Sequence, residues 1–86
     1  MTFRHINDAI VRELQTRPLA KTQLQPERDE IDRLESLVEC WDECTVVHVG
    51  IFFRAQRYHH ITTPTKAVYQ AMRDFDEIRR QVCAKN

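Results

Sequence analysis

Apolar side chains recur at helical spacing along most of the chain. Near the start, Phe3, Ile6, Ile10 and Leu14 fall three or four residues apart, with Ala9 and Val11 widening the stripe. That spacing puts them on one face of a 3.6-residue helix. Pro18 closes the segment, because its ring pushes the preceding residue out of the α region. The pattern predicts a first helix over residues 3–16. Residues 17–25 read as a connector, anchored to the core by Leu19 and Leu24.

A second stripe follows: Ile31, Leu34, Leu37, Val38 and Trp41. Its start is marked by Pro26, which suits a first helical position, and by Glu27, Asp29 and Glu30, which favour the positive end of the helix dipole. Beyond it, residues 45–53 (Thr-Val-Val-His-Val-Gly-Ile-Phe-Phe) have the composition of a strand. A lone strand needs a neighbour, however, and no second segment reads as one. The helical stripe also continues through Leu34, Leu37, Trp41, Cys44, His48, Ile51, Ala55 and Tyr58, in steps of three and four. The expectation is therefore one long helix over residues 26–60, with a strand at 45–53 (an α+β fold) as the alternative. Gly50 counts against the helix by about 1 kcal/mol relative to alanine, though it also lets another helix approach closely.

The last helix is well signalled. Thr63 is an N-cap and Pro64 sits at the first helical position. Val68, Ala71, Met72, Phe75, Ile78 and Val82 form its apolar face, and Arg79, Arg80 and Lys85 favour its negative end, so it is expected over residues 64–83. The fold expected is mostly α: three helices in one small domain spanning residues 1–86. The 35-residue central helix would span roughly 52 Å, and the two short helices would each cover half of it. The apolar surface around residues 46–53 runs nearly all round the helix. A helix apolar on all sides is usually enclosed, so a second chain, and hence a homo-oligomer, is expected to cover it.

Composition sharpens this picture at a few points. A chain of 86 residues has a modest core. Three cysteines, an odd number, point to free thiols and a cytoplasmic setting, with no membrane span or signal segment expected. Formal net charge is zero, which lacks the basic excess common in nucleic-acid binders. The charge is unevenly spread, though: residues 26–44 hold eight carboxylates against two arginines. Glu27, Glu30, Glu35, Glu39, Asp42 and Glu43 thus form either a solvated helix face or an anionic surface for a basic partner.

Residue types that carry chemistry are present without a convincing arrangement. Cys40, Cys44 and His48, each four apart, would share a helix face and offer soft ligands to zinc. Small thiols at that spacing more often pack in a core, so no metal or cofactor is expected. No glycine-rich phosphate loop, nucleophile elbow or zinc-protease motif occurs, and no cysteine has an activating context. The chain is expected not to be an enzyme. The run from Phe52 to His60 mixes aromatics with cations, as protein interfaces do. Together with Val47 and Ile51 before it, its Phe52, Phe53, Arg54, Arg57 and Tyr58 are expected to form an oligomer or partner interface. A nucleic-acid reading, using Arg54, Arg57, Tyr58, Arg79 and Arg80 for stacking and phosphate contacts, is the alternative. The acidic helix after the 17–25 connector would repel phosphate and cannot serve as a recognition helix.

In size, in the order of short helix, acidic helix, basic-aromatic segment and short helix, and in lacking a catalytic motif, the chain resembles small regulatory proteins of temperate bacteriophages. It is most similar in general appearance to the antirepressors, and small anti-restriction and anti-CRISPR inhibitors look alike. The resemblance covers the whole chain without a diagnostic motif, so it assigns no residue a role. It implies a helical inhibitor in the host cytoplasm that binds a repressor or other DNA-binding protein and regulates transcription through protein–protein interaction. Direct nucleic-acid binding is not expected under it.

Overall fold

Where the sequence suggests one long central helix, the structure has two shorter ones. The computed structural model describes residues 3–21, 27–39 and 45–84, and within these the helices are α1 (Phe3–Thr16), α2 (Arg28–Glu39), α3 (Thr45–Tyr58) and α4 (Pro64–Ala84). The principal extents, 36 × 26 × 22 Å, have no room for a rod of roughly 52 Å. The radius of gyration is 12.2 Å, close to the value of about 12 Å for a compact chain of this length. Trp41, Cys40, Asp42, Glu43 and Cys44, through which the stripe was expected to pass, lie outside the described residues, as do Leu24 and Pro26.

The outer boundaries follow the sequence closely. The first helix matches its expected range, and the last extends one residue beyond its own. Thr63 caps α4: its hydroxyl accepts from the Lys66 amide at 3.4 Å, and its carbonyl takes the first helical bond, from Ala67 at 2.8 Å. No strand occurs among the described residues, which sets aside the alternative for 45–53. Two helices close over this β-rich segment and satisfy it in helical form: α3 packs against both α1 and α4.

The hub is α4, which contacts each of the other three helices. Ile10 and Leu14 of α1, Leu34 and Val38 of α2, Val47, Ile51, Ala55 and Tyr58 of α3, and Ala71, Phe75, Ile78 and Val82 of α4 form one core. Leu19 packs against it from the connector. Full burial of a side chain such as Phe75 contributes roughly 1.5–3 kcal/mol. Gly50 is buried where α3 meets α1; a β-carbon there would lie 3.3 Å from Leu14 and Val11 side chains.

The inner face of α3 is also turned relative to expectation. The extrapolated stripe ran through His48, Ile51, Ala55 and Tyr58. The buried set is Val47, Gly50, Ile51, Arg54, Ala55 and Tyr58, and His48 is exposed. Because α2 and α3 are separate, the phase of one stripe does not fix that of the next. Val68, expected in the core of the last helix, is 42% exposed.

Candidate protein-binding surface

What fixes α3 is a charge in the core. Arg54 is 2% exposed and donates from Nε to Asp74 Oδ2 at 2.6 Å, Asp74 being itself buried on α4. Its terminal nitrogens donate to the carbonyls of Leu14 at 3.1 Å, Arg17 at 2.5 Å and Pro18 at 2.8 Å. Arg57, one turn on, donates to the carbonyls of Gln15 at 3.1 Å and Arg17 at 3.0 Å. The last carbonyls of a helix have no partner of their own and carry the negative end of its dipole. Two guanidinium groups from α3 therefore cap α1 from outside, at a terminus that has no capping glycine.

Tyr58 completes the network. It is fully buried, donates to Asp74 Oδ2 at 2.5 Å, accepts from the Ala20 amide at 3.1 Å, and lies with its ring 5.7 Å from the Arg54 guanidinium carbon. Gln70 adds a longer bond, 3.4 Å, to the other Asp74 oxygen. Burial, reinforced by the Asp74 carboxylate, pushes the Tyr58 hydroxyl up from 10.0 to about 12. Every charge in this cluster is paired, as a buried charge requires.

With that face fixed inward, the opposite side of α3 is set outward, and it is apolar. Val46 (44% exposed), Val49 (44%), Phe52 (57%) and Phe53 (47%) form a continuous crest. Phe52 and Phe53 touch edge to face, with centroids 5.7 Å apart. On one flank the crest falls into a groove of about 340 Å³ where α2, α3 and α4 converge, lined by Val38, Ile51, Phe52, Val68 and Met72, with Glu35, Glu39 and His48. Val68 is exposed because it faces this groove.

The glutamates on and just before α2 divide into two groups. Glu30 accepts from Arg73 through both oxygens, at 2.8 and 2.6 Å, and is held to the scaffold. Glu27 and Glu39 are exposed, and among the described residues Glu35 accepts only from the Tyr69 hydroxyl, at 3.2 Å. Burial and that bond to Glu35 raise the Tyr69 pKa above its ordinary 10.0. A separate cluster gathers Arg33, Arg79 and Arg80 around buried Asp76. Burial alone would raise the Asp76 pKa; the bonds from Arg80, Arg79 and Arg33 outweigh it and hold the carboxyl below its ordinary value.

The residues that the sequence grouped as one interface thus separate. Phe52 and Phe53 lie on the surface, and Ile51 reaches it only as groove floor. Val47 and Tyr58, both fully buried, and Arg54 belong to the scaffold, and Arg57 caps α1. A partner meeting the folded chain does not reach the first three. The basic-aromatic run misled because polar type was read as exposure, whereas Arg54, Arg57 and Tyr58 turn toward α1 and Asp74. The sequence placed Val38, Val68 and Met72 on core stripes and His48 near an oligomer seam; the groove they line together was not legible, since it exists only where three helices meet.

Asp42, Glu43, Cys40 and Cys44 lie outside the described residues. Among the described residues, no group of three potential metal ligands occurs, and no helix is long and apolar enough to cross a membrane. Comparison with protein-family models, with curated proteins and with solved structures finds no match.

Proposed function

We propose that this chain is a non-enzymatic protein-binding regulator that occupies another macromolecule through the outer face of α3. An antirepressor-like inhibitor that sequesters a DNA-binding protein is the form its overall organisation suggests. The observation that carries the reading is the crest of Val46, Val49, Phe52 and Phe53, continuous with an apolar groove. Contiguous exposed apolar surface on a small chain marks an interaction site, and aromatic anchors there are the usual hot spots. Self-association through the crest is part of the same reading, since a second copy can cover Val49 and Phe53 while leaving the groove open.

The alternative, a small nucleic-acid-binding transcription regulator, has less support. Arg54 and Tyr58 are buried, Arg57 caps α1, and Arg79 and Arg80 are both paired with Asp76. Cross-linking in an extract of the native host, comparing the wild type with Phe52→Asp, tests the reading. A protein captured by the wild type and lost in a variant of unchanged circular dichroism supports it. Salt-sensitive retardation of DNA or RNA by the chain alone overturns it in favour of the alternative.

A further inference from the structure

We propose that the groove between α2, α3 and α4 receives a basic amphipathic helix of the partner protein. The proposal rests on the protein-binding reading above and names the partner's recognition element. The groove's walls are apolar: Val38, Ile51, Phe52, Val68 and Met72. Its volume of about 340 Å³ is at the low end of ligand-sized pockets, enough to seat the apolar anchors of one helix face. Grooves of this type are read by side chains at i, i+3, i+4 and i+7 of a partner helix.

Charge selects the kind of helix. Glu35 and Glu39, one turn apart on α2, line the groove, and Asp32 continues their line along the same face. All three are exposed, and no described arginine or lysine forms an ion pair with them. An anionic rim beside an apolar floor complements lysines or arginines flanking an apolar stripe. The same rim repels phosphate, which disfavours nucleic acid. A small polar ligand would need several buried polar groups to orient it, and the lining offers carboxylates and one histidine.

A second copy of the chain is a poor occupant. The arginines of α3 cap α1, those of α4 are paired with Glu30 and Asp76, and α2 is acidic. The apolar stripe of α1 is in the core. No described helix therefore combines an available apolar stripe with available cations.

The test uses a fluorescently labelled synthetic helix of about five turns, with leucines on one face and lysines beside them, and a twin in which glutamate replaces each lysine. Fluorescence anisotropy should show the basic helix binding about tenfold or more tightly than its twin, a preference that weakens with added salt. The double variant E35K/E39K should abolish or reverse the preference. Val68→Asp, at an exposed position, should weaken binding of the basic helix. Glu27→Lys/Asp29→Lys, just before and within the first turn of α2 but outside the groove lining, should leave it unchanged. Circular dichroism checks that each variant is folded.

Equal affinity for the twins, or binding indifferent to E35K/E39K, overturns the proposal. Loss of self-association in Val68→Asp does so too, by making the occupant a second copy. So does salt-sensitive binding of a labelled DNA duplex by the wild-type chain that Val68→Asp abolishes. If the basic helix fails while Phe52→Asp still costs capture of a protein, the groove assignment falls and the protein-binding reading stands. If both fail, both fall.

Discussion

On its inner side α3 buries an arginine, and on its outer side it leaves two phenylalanines in solvent. Arg54 is 2% exposed and Phe52 is 57% exposed, two residues apart on the same helix. The usual distribution is the reverse. The inner face tolerates its charge because each part of the guanidinium has a partner: one carboxylate and three carbonyls. Among the described residues, the outer face has no equivalent compensation. Its crest is left about half exposed by α1, α2 and α4, so much of its apolar area contributes nothing to the stability of the fold. The inner face is thus explained by the fold, whereas the described helices leave the outer face exposed.

The largest effect is expected from breaking the inner side. Asp74→Ala leaves the Arg54 guanidinium buried without its counter-ion, and removing one member of a buried pair costs about 3–5 kcal/mol. Urea unfolding measures it. The double variant Arg54→Met/Asp74→Leu should recover only part of the loss. It removes the stranded charge but also uncaps the carbonyls of Leu14, Arg17 and Pro18. Full recovery would show that the bonds to α1 contribute little.

The outer side should respond in the opposite way. Phe53→Asp is expected to change the unfolding free energy of the isolated chain by no more than about 0.5 kcal/mol, as for an ordinary surface substitution. Sedimentation equilibrium should nevertheless show it driven toward monomer relative to the wild type. A compact wild-type monomer at micromolar concentration would remove self-association from the reading and leave the crest to a foreign partner.

Acid should weaken the scaffold through Asp76. Its pKa is lowered in the folded chain from an ordinary 3.8, so the unfolded chain takes up the proton first as pH falls. Its contribution is therefore complete above about pH 4 and is lost as pH drops from there through the folded value. Asp76→Asn should flatten that part of the curve of unfolding free energy against pH. An unchanged acid limb in the variant would assign the loss to other carboxylates.

Much of this was legible in the sequence, and the parts that were not share a cause. The spacing of Ile6, Ile10 and Leu14, and the pair Thr63–Pro64, are local signals, and they placed α1 and the start of α4. The separation of α2 from α3 was missed because Leu34, Leu37 and Trp41 run in phase with Cys44 and His48 on paper. Whether such a stripe belongs to one helix depends on what packs against it. Arg54 shows the same limit at the site. A cation two residues from exposed Phe52 reads as surface until Asp74 and the end of α1 are brought around it. Phe52 and Phe53 were legible as apolar area beyond what two short helices could cover, and both are exposed. Met72 is in the core as its periodicity implies, but Val68 on the same stripe is exposed, because periodicity does not distinguish a filled interior from the wall of a groove.

The smallest expected effect is at Gly50, where two terms of similar size oppose each other. In a helix interior alanine is favoured over glycine by about 0.8–1.0 kcal/mol. The added β-carbon, however, would stand 3.3 Å from Leu14 Cδ1 and from both Val11 methyls. Valine is stiff at χ1, and since both its methyls are touched, rotation does not clear the space. Relief therefore requires α1 to shift by a few tenths of an ångström, against the Arg54 and Arg57 bonds that hold its end. Gly50→Ala should thus fall within about 1 kcal/mol of the wild type, on the destabilising side. The sharper measurement is a double-mutant cycle with Val11→Ala. In that background the methyls are gone, and Gly50→Ala should become stabilising by about the helix-propensity difference. If it already stabilises the wild type by that full amount, the contact between α1 and α3 is slack, and the capping arginines do not fix α1 as tightly as their geometry implies.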